Sequence, residues 1–474
     1  MHGRGWLVIV TDEFVGLVGA EFRAWLRQME RLGGCASPVY LVGHTLTRDT
    51  RTGELLHVFT SASQPYGRFA VGCGNRRESV CLPCSYLHKG DTYQIVVSGL
   101  AGGKGVPESV VVKPRVFATL TAPSFGLVHR CTSPDNPSQV CRARRDAPLC
   151  PHGASQACFR RHSPDDPRVG SPLCPACYDY TGAVIWNASL GKLWRRTLTR
   201  IARELGKAGG IRQQDLKDHF RVSFAKVVEY QHRGLVHLHV VVRCDGPDGP
   251  GDPAPAWVTA TLLGDAVAAA AGAVTVRSPA PDGADDLVIG WGAQLDVQEI
   301  QAGEGLDGLS NQAVAAYVAK YVSKGDINSL VLPTRLRSEG QIETTPGLSD
   351  HARRMMHECF TLAKLPRFAT LRLDRWAFQV GFRGHIATKS QRYSTTYKKL
   401  RAERAAFYRD EQFNSDTTIT HRSWRLDQIG HSPAQASFAL ALARTLQDRR
   451  DARNEERHAK RRAGWSTTSD RRPS

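Results

Sequence analysis

His237 and His239 stand one residue apart within an apolar run. Alternate side chains of a β-strand point to the same face, so both imidazoles could reach one metal ion. Glu229 lies in the preceding apolar run, and a hairpin between the two runs would bring its carboxylate beside the imidazoles. Two histidines and a carboxylate suit Mg²⁺ or Mn²⁺, with positions left open for substrate oxygens. His232 and Asp296 are weaker substitutes for Glu229, and a hydrogen-bonded pair of core histidines is the alternative to a metal site.

Two tyrosines, Tyr317 and Tyr321, are four residues apart and would share one face of a helix. Lys320 and Lys324 lie close to that face. A phenol is a poor nucleophile at its ordinary pKa of about 10, but a nearby cation and a metal-polarised phosphate would overcome this. We therefore predict a tyrosine nucleophile; Tyr317 is the first candidate and Tyr321 the second, and the residues fit either order. The alternative is a buried apolar stripe flanked by solvated lysines.

The chain contains 12 cysteines. Residues 1–10 lack the apolar core and the cleavage site of a secretory signal, so we expect a cytoplasmic protein whose reduced thiols bind metal. One CxxC pair follows two earlier cysteines, and four thiolates suit a structural Zn²⁺. The ligands predicted for this first zinc site are Cys35, Cys73, Cys81 and Cys84.

A second CxxC pair, Cys174 and Cys177, follows a turn-rich segment. Two further ligands must come from a set of four residues, of which the two cysteines are preferred: Cys150, Cys158, His152 and His162. The second predicted zinc site therefore consists of Cys150, Cys158, Cys174 and Cys177. Two CxxC pairs indicate zinc but leave the pairing of ligands open, and free thiols or a redox pair are the alternative.

Hydrophobic periodicity predicts the elements that would position these residues. Residues 222–230 and 235–243 form a predicted β-hairpin carrying Glu229 and the histidines, and residues 312–324 form a predicted helix carrying the tyrosines. Further strands are predicted within 110–121 and at 295–300, and further helices at 13–32, 190–208 and 257–271. We expect short strands and turns over 35–105 and a mobile insert over 333–346.

The chain carries 63 Lys and Arg against 45 Asp and Glu, a net charge of +18, and its pI is near 9.6. This basic balance makes nucleic acid the expected partner. Phosphate contact and base stacking would use Lys389, Arg392 and Tyr393, where cations alternate with aromatic residues. The apolar runs are shorter than the ~20 residues that span a bilayer, and residues 99–105 lack the spacing of a phosphate-binding loop. We therefore expect neither membrane insertion nor ATP hydrolysis.

Three motifs resemble those of the HUH endonucleases and occur in the same order. Residues 237–239 (HLH) resemble the histidine–hydrophobic–histidine motif, and Tyr317 and Tyr321 resemble the two-tyrosine motif of bacteriophage gene A type initiators. Residues 117–121 (FATLT) resemble the first motif of rolling-circle initiators. Together with the cysteine-rich N-terminal region and residues 388–394, these motifs make the chain most similar to the rolling-circle replication initiators of actinobacterial plasmids. The resemblance covers about residues 35–397.

The resemblance implies an α+β fold, in which a HUH-type catalytic domain has a central antiparallel sheet with helices and the cysteine-rich segments bind zinc. It implies that the first motif and the histidine strand lie side by side, with the tyrosine helix packed beneath the metal. A tyrosine would cut one strand at the replication origin, keep the 5′ phosphate and leave a 3′-OH for a host polymerase. The second tyrosine would cut after one round so that the ends can rejoin, and any helicase would come from the host.

On this reading, residues 1–105 form an N-terminal helix and a cysteine-rich zinc-binding region. The catalytic domain spans 106–330 and contains a zinc insert at about 131–180. A basic DNA-contacting region follows at 331–446, and residues 447–474 form a disordered basic tail.

Two other functions fit parts of the pattern. A two-tyrosine HUH transposase would use the same chemistry, and only genomic context separates it from a replication initiator. A non-catalytic, zinc-containing DNA-binding regulator would need neither His237 nor Tyr317 once folding is preserved.

Overall fold

The computed structural model describes residues 19–469 apart from 133–135, 137, 145, 147–148, 282, 284, 302–309, 325–329 and 408–416. The chain forms two compact units: residues 1–88 together with 402–474, and residues 89–401. This division differs from the predicted boundaries because a strand near the C-terminus pairs with a strand near the N-terminus. Periodicity along the sequence cannot reveal a pairing between such distant segments.

The strands alternate with turns and helices in both units. They are β1 Val39–Asp49, β2 Leu55–Thr60, β3 Phe69–Val71, β4 Arg115–Leu120, β5 Arg221–Tyr230, β6 Val236–Asp245, β7 Thr275–Ser278, β8 Leu287–Gly290, β9 Leu295–Glu299, β10 Ala387–Lys389 and β11 Thr418–Ile429.

The helices range from single turns to long rods. They are α1 Ala20–Arg31, α2 Leu82–Ala101, α3 Tyr180–Ala208, α4 Leu216–His219, α5 Ala260–Ala273, α6 Asn311–Lys324, α7 Gln341–Thr344, α8 Asp350–Ala363, α9 Leu373–Trp376, α10 Tyr397–Phe407 and α11 Pro433–Ser469. Within the described ranges, none of these helices combines the length and the apolar character that crossing a bilayer requires.

The first unit is built on an antiparallel sheet in which β1 pairs with β11, β2 and β3. Its small core contains the buried side chains of Trp25, Met29, Tyr40 and Ala70, against which Phe438 and other apolar residues pack. The indole of Trp25 donates a hydrogen bond of 2.9 Å to the Tyr40 hydroxyl, which satisfies a buried polar group. This unit therefore depends on residues from both ends of the described chain.

The second unit is built on an antiparallel sheet with strand order β10-β5-β6-β4-β9. The predicted hairpin is present as β5 and β6, and the strand that contains the FATLT residues, β4, lies beside β6. β4 starts only at Arg115, later than predicted, because Pro114 has no N–H for a sheet and residues Glu108–Val112 form a 3-10 helix. The histidine strand therefore occupies the centre of the sheet.

Helices cover both faces of this sheet. On one face, Trp194 of α3 packs edge-on against Phe224 with ring centroids 5.3 Å apart, and Gly264 of α5 lies against Val116 and Val297. On the other face, the Tyr317 ring of α6 packs edge-on against Phe117 at 5.6 Å. Because side chains alternate along a strand, the odd-numbered residues of β4, β5 and β6 face α6.

Three predicted segments contain structure that differs from the expectation. Residues 82–101 form one helix where short strands and turns were expected, because the apolar residues from Ile95 to Leu100 belong to a buried helix face. The predicted disordered tail from residue 447 continues helix α11 to Ser469. Its Ala, Arg and Glu residues are strong helix formers, and the earlier turns of the same helix are anchored through Phe438 and Leu442. Within the predicted insert over 333–346, residues Gln341–Thr344 form α7.

Lys226 provides a test of the packing of this sheet. Its side chain is partly buried on β5, and burial lowers its pKa from 10.5 to about 8. Below pH 8 the ammonium is charged in folded and unfolded chains alike, so the folded state bears the full desolvation cost. Between about pH 8 and 10.5 the folded chain releases this proton more readily than the unfolded chain does. The free energy of unfolding therefore rises with pH over this range, as the desolvation cost is relieved.

We expect Lys226→Met to raise the free energy of unfolding at pH 7 by up to about 3 kcal/mol, and by less at pH 10. Urea unfolding of the protein at both pH values measures this difference. The exposed Lys217→Met is the matched control and should change little. Equal effects of the two substitutions would show that Lys226 bears no desolvation cost.

Candidate active site

Glu229, His237 and His239 converge on one face of the second unit's sheet. Glu229 on β5 lies directly opposite His237 on β6 in the strand register. One ligand atom from each of the three side chains lies within 4.8 Å of the others. The hairpin register, which the sequence could not supply, therefore brings the carboxylate beside both imidazoles.

The His239 imidazole is held from two sides. Its Nε2 lies 2.8 Å from Glu229 Oε2, and its Nδ1 lies 3.1 Å from the Thr119 hydroxyl on β4. The Phe117 ring lies parallel to the imidazole, with centroids 6.1 Å apart. Because a hydroxyl can donate or accept, Thr119 can keep the ring oriented in either tautomer. Two residues of the FATLT segment thus fix the position of His239.

His237 supplies an available lone pair. Its Nε2 is buried and has no hydrogen-bond partner among the described residues. Burial lowers the pKa of this imidazole to about 3, and the neighbouring His239 and Arg233 lower it in the same direction. The ring is therefore neutral at ordinary pH. A buried, neutral, unpaired imidazole nitrogen beside a carboxylate and a second imidazole fits a divalent metal ion.

Tyr317 lies against this group. Its ring stands edge-on to His239, with centroids 5.3 Å apart and planes at 89°. Val314 and Val318 are buried and anchor α6, whereas 40% of Tyr317 is exposed. The phenol is therefore both close to the candidate metal ligands and accessible to a substrate.

The other residues predicted to accompany Tyr317 are described to different extents. Lys320 lies one turn further along α6 and is exposed. The side chains of Tyr321 and Lys324 lie outside the described residues, so the structure leaves the order of the two tyrosines open.

A cavity of about 720 Å³ opens beside the candidate metal ligands. Glu229, His237 and the hairpin-turn residue His232 line it, together with Arg130 and Arg142. His232 is therefore near the centre but does not belong to the ligand group. Asp296 lies opposite Thr119 in the register and accepts a hydrogen bond of 3.0 Å from Gln298, so it is not part of that group either.

The first predicted zinc site is assembled in the first unit. Cys35, Cys73, Cys81 and Cys84 come together, with the Cys35 sulfur 3.7 Å from those of Cys81 and Cys84. Backbone amides of Cys73 and Ala36 donate to the Cys35 and Cys81 sulfurs at 3.3 and 3.4 Å. Four mutually close sulfurs, two of which accept these amide hydrogen bonds, suit a tetrahedral Zn²⁺.

The second predicted zinc site has a different fourth residue. Cys150, Cys174 and Cys177 lie together with His152, whose Nδ1 is 3.2 Å from the Cys177 sulfur. A tight turn at residues 150–153 directs His152 toward the CxxC pair. Cys158 instead pairs with Arg142 through two backbone hydrogen bonds, which places it in another group with His129, Cys141 and His162. The structure therefore groups His152, and not the preferred Cys158, with this CxxC pair.

The three residues predicted to contact DNA are not equally placed to do so. Tyr393 is fully buried, and its hydroxyl donates to the Val96 carbonyl at 3.2 Å, so it cannot stack on a base. The Lys389 ammonium donates to two neighbouring backbone carbonyls. Arg392 is exposed, and its guanidinium donates to the Asp248 carbonyl at 2.8 Å. In this segment the aromatic residue that alternates with cations, Tyr393, therefore belongs to the core and not to a DNA-binding surface.

Sequence reasoning did not assign roles to Thr119, His129 or Cys141. Thr119 carried a signal, since it belongs to the FATLT motif, but only the pairing of β4 with β6 shows that it reaches His239. The Cys158-x-x-x-His162 spacing is typical of a zinc-ligand pair and pointed to another group of metal ligands.

Comparison with known proteins gives the family. The family described as "RepSA: Replication initiator protein, pSAM2" matches residues 21–444, a range that includes the whole candidate active site. A replication initiator protein of Streptomyces ambofaciens is 40% identical over 448 residues, which cover 92% of this chain and 93% of that protein. No solved structure matches the chain. The chain belongs to the RepSA family of replication initiator proteins.

Proposed function

We propose that this protein initiates plasmid replication as a HUH-type endonuclease that cuts one DNA strand at the origin and later rejoins it. The observation that carries the proposal is the contact between Tyr317 and His239, which joins a nucleophile to the Glu229, His237 and His239 group. Membership of a replication initiator family supports a DNA substrate, and the net charge of +18 favours binding to it.

Glu229, His237 and His239 would hold Mg²⁺ or Mn²⁺ at this centre. A divalent ion bound there would withdraw charge from the scissile phosphate and orient it for attack. The unpaired Nε2 of His237 and the Glu229 carboxylate beside Nε2 of His239 are the donors that fit such an ion.

The chain's own residues perform the bond exchange. The Tyr317 oxygen attacks phosphorus, forming a tyrosine–phosphate ester as the bond between phosphorus and the 3′ oxygen breaks. The phenol proton leaves to solvent, and the 3′ oxygen takes up a proton to become a free 3′-OH. One phosphodiester replaces another, so the ends can rejoin without ATP. Lys320, one turn along α6, would stabilise charge on the phenolate or the phosphate, and Lys324 is proposed for the same role.

The second tyrosine would allow one round of replication to end. Tyr321 would cut the regenerated origin while Tyr317 holds the first 5′ phosphate, and the released 3′-OH would then attack the phosphotyrosine. A host helicase would separate the strands, because the sequence contains no phosphate-binding loop for ATP hydrolysis. A host polymerase would carry out the synthesis. The two groups at Cys35 and Cys150 would bind structural Zn²⁺, and Arg392 remains a candidate for phosphate contact.

Thr119→Val tests the positioning of His239. We expect it to weaken Mn²⁺ binding at this centre by about 10–100-fold, because the imidazole loses the partner that orients it. Titration followed by the electron paramagnetic resonance signal of free Mn²⁺ measures the affinity directly. Thr119→Ser keeps the hydroxyl and should restore it, whereas equal weakening by both variants would point to a packing effect.

The decisive experiment incubates the zinc-loaded protein with a labelled single strand of its own origin and Mn²⁺. We expect cleavage that depends on the divalent ion, and a covalent adduct between a tyrosine and the 5′ phosphate, identified by mass spectrometry. Retention of the same DNA without cleavage at any divalent ion concentration would instead support a non-catalytic DNA-binding regulator.

A further inference from the structure

Four side chains of the segment 129–162 form a group separate from both CxxC pairs. This insert cluster consists of His129, Cys141, Cys158 and His162, whose ligand atoms lie within 4.8 Å of one another. The Cys141 sulfur is 3.7 Å from His129 Nδ1, and the Cys158 sulfur is 3.4 Å from His162 Nε2. Tetrahedral zinc, with bonds of about 2.3 Å to sulfur and 2.0–2.1 Å to nitrogen, places its ligand atoms about 3.3–3.8 Å apart.

The surroundings of the insert cluster orient its donors. His162 is buried, and its Nδ1 lies 2.8 Å from Asp166 Oδ2, which directs Nε2 toward the cysteines. Arg168 in turn donates to both oxygens of Asp166, at 3.0 and 2.7 Å. Zinc-bound histidines usually donate their second N–H to a carboxylate in this way. The Arg130 amide also donates to the Cys141 sulfur at 3.2 Å, a hydrogen bond that a metal-bound thiolate would accept.

The segment around the insert cluster has little apolar core. Among the described residues between 129 and 171, the buried apolar side chains are Cys141, Cys150 and Val169. The described residues of this segment form isolated bridges, including Arg142 with Cys158, and single backbone hydrogen bonds, but none of the named strands or helices. Short segments without an apolar core need cross-links to hold one conformation, and an ion bound by these four side chains would supply one.

The same segment forms a wall of the cavity beside the candidate active site. Gly170 has a φ of +86°, and a Cβ there would lie 2.1 Å from the His232 backbone carbon, so only glycine permits this approach to the hairpin turn. His129 and Arg130 line the same cavity as Glu229 and His237. Arg130 is exposed, so its guanidinium is accessible to a ligand in the cavity.

We propose that the insert cluster binds a third structural Zn²⁺, and that this ion holds Arg130 where it contacts a backbone phosphate of the bound strand. The zinc assignment stands on the cluster alone, whereas the phosphate contact rests on the proposed function. A cation at this position would hold the strand next to the bond that is cut.

Native mass spectrometry of the full-length protein tests the zinc assignment. We expect Cys141→Ser to carry one zinc ion fewer than the wild type, and the exposed Cys131→Ser, which lies outside all the clusters, to carry the full number. Should Cys141→Ser fail to fold, Asp166→Asn provides a second test because it keeps all four ligands. We expect the chelator concentration that removes one zinc ion from Asp166→Asn to be about 10–100-fold lower than for the wild type. An unchanged zinc content in Cys141→Ser, or an unchanged chelator titration of Asp166→Asn, would overturn the assignment.

Binding of a fluorescent single strand at several salt concentrations tests the role of Arg130. We expect Arg130→Gln to weaken binding and to reduce the slope of log K against log salt by about 0.7, the value for one lost phosphate contact. Arg144→Gln, exposed in the same segment but outside the cavity lining, is the control and should keep the wild-type slope. Equal slopes for the two variants would overturn the phosphate contact.

The zinc counts do not depend on cleavage, so a failure of the proposed nuclease activity is distinguishable from a failure of this inference.

Discussion

Tyr317→Phe is expected to lower the rate of the first strand cleavage by about 10⁴-fold or more, because it removes the oxygen that attacks phosphorus and leaves the rest of the site in place. The ring contacts with His239 and Phe117 do not involve that oxygen, so folding and Mn²⁺ binding should be retained. Single-turnover cleavage of an origin strand, with mass spectrometry of the covalent adduct, measures the loss.

Tyr321→Phe is the matched control for Tyr317→Phe. The same chemical change four residues along α6 should leave the first cut intact and block only the second cleavage that ends a round. If Tyr321→Phe abolishes the first adduct and Tyr317→Phe does not, the order of the two tyrosines is reversed. If both variants still form the adduct at the wild-type rate, neither tyrosine is the nucleophile.

His237→Ala should have the second largest effect, a loss of cleavage on the order of 10³-fold together with loss of Mn²⁺ binding. The free energy of unfolding should change by only about 1 kcal/mol, because Nε2 of this imidazole has no hydrogen bond to lose among the described residues. Cleavage kinetics, Mn²⁺ titration and urea unfolding on the same preparation separate these effects.

His219→Ala provides the comparison for His237→Ala. His219 is exposed on α4 and does not line the cavity, so its loss should leave all three measurements near the wild-type values. A variant of His237 that loses stability as steeply as it loses activity would favour a structural pair of core histidines over a metal centre.

The parts of the site that the sequence predicted were those determined by local periodicity. The hairpin carrying Glu229 and the histidines, and the helix carrying Tyr317, lie within a few residues of their predicted bounds. Alternation along a strand and recurrence along a helix depend only on near neighbours, so one sequence is enough to detect them. The assignment to replication initiators, made from the three motifs, is confirmed by the family match.

The features that sequence reasoning missed depend on the packing of distant segments. His152, and not Cys158, lies beside the second CxxC pair, because the backbone of Cys158 pairs with that of Arg142. Tyr393 was expected to stack on bases, but Gly99 and Val96 of α2 enclose its ring. Thr119 reaches His239 only because β4 and β6 are neighbours. Spacing along the chain carries no information about such contacts.

The pairing of β1 with β11 has a consequence for synthesis of the protein. Residues of β1 leave the ribosome about 370–390 positions before their partners in β11, and at about 5–20 residues per second that interval is roughly 20–80 s. During this time an eleven-residue strand waits with an unpaired edge, while the contiguous segment 89–401 can already fold. We therefore expect the N-terminal unit to mature last, with the β1 edge exposed to nonspecific pairing until β11 is made.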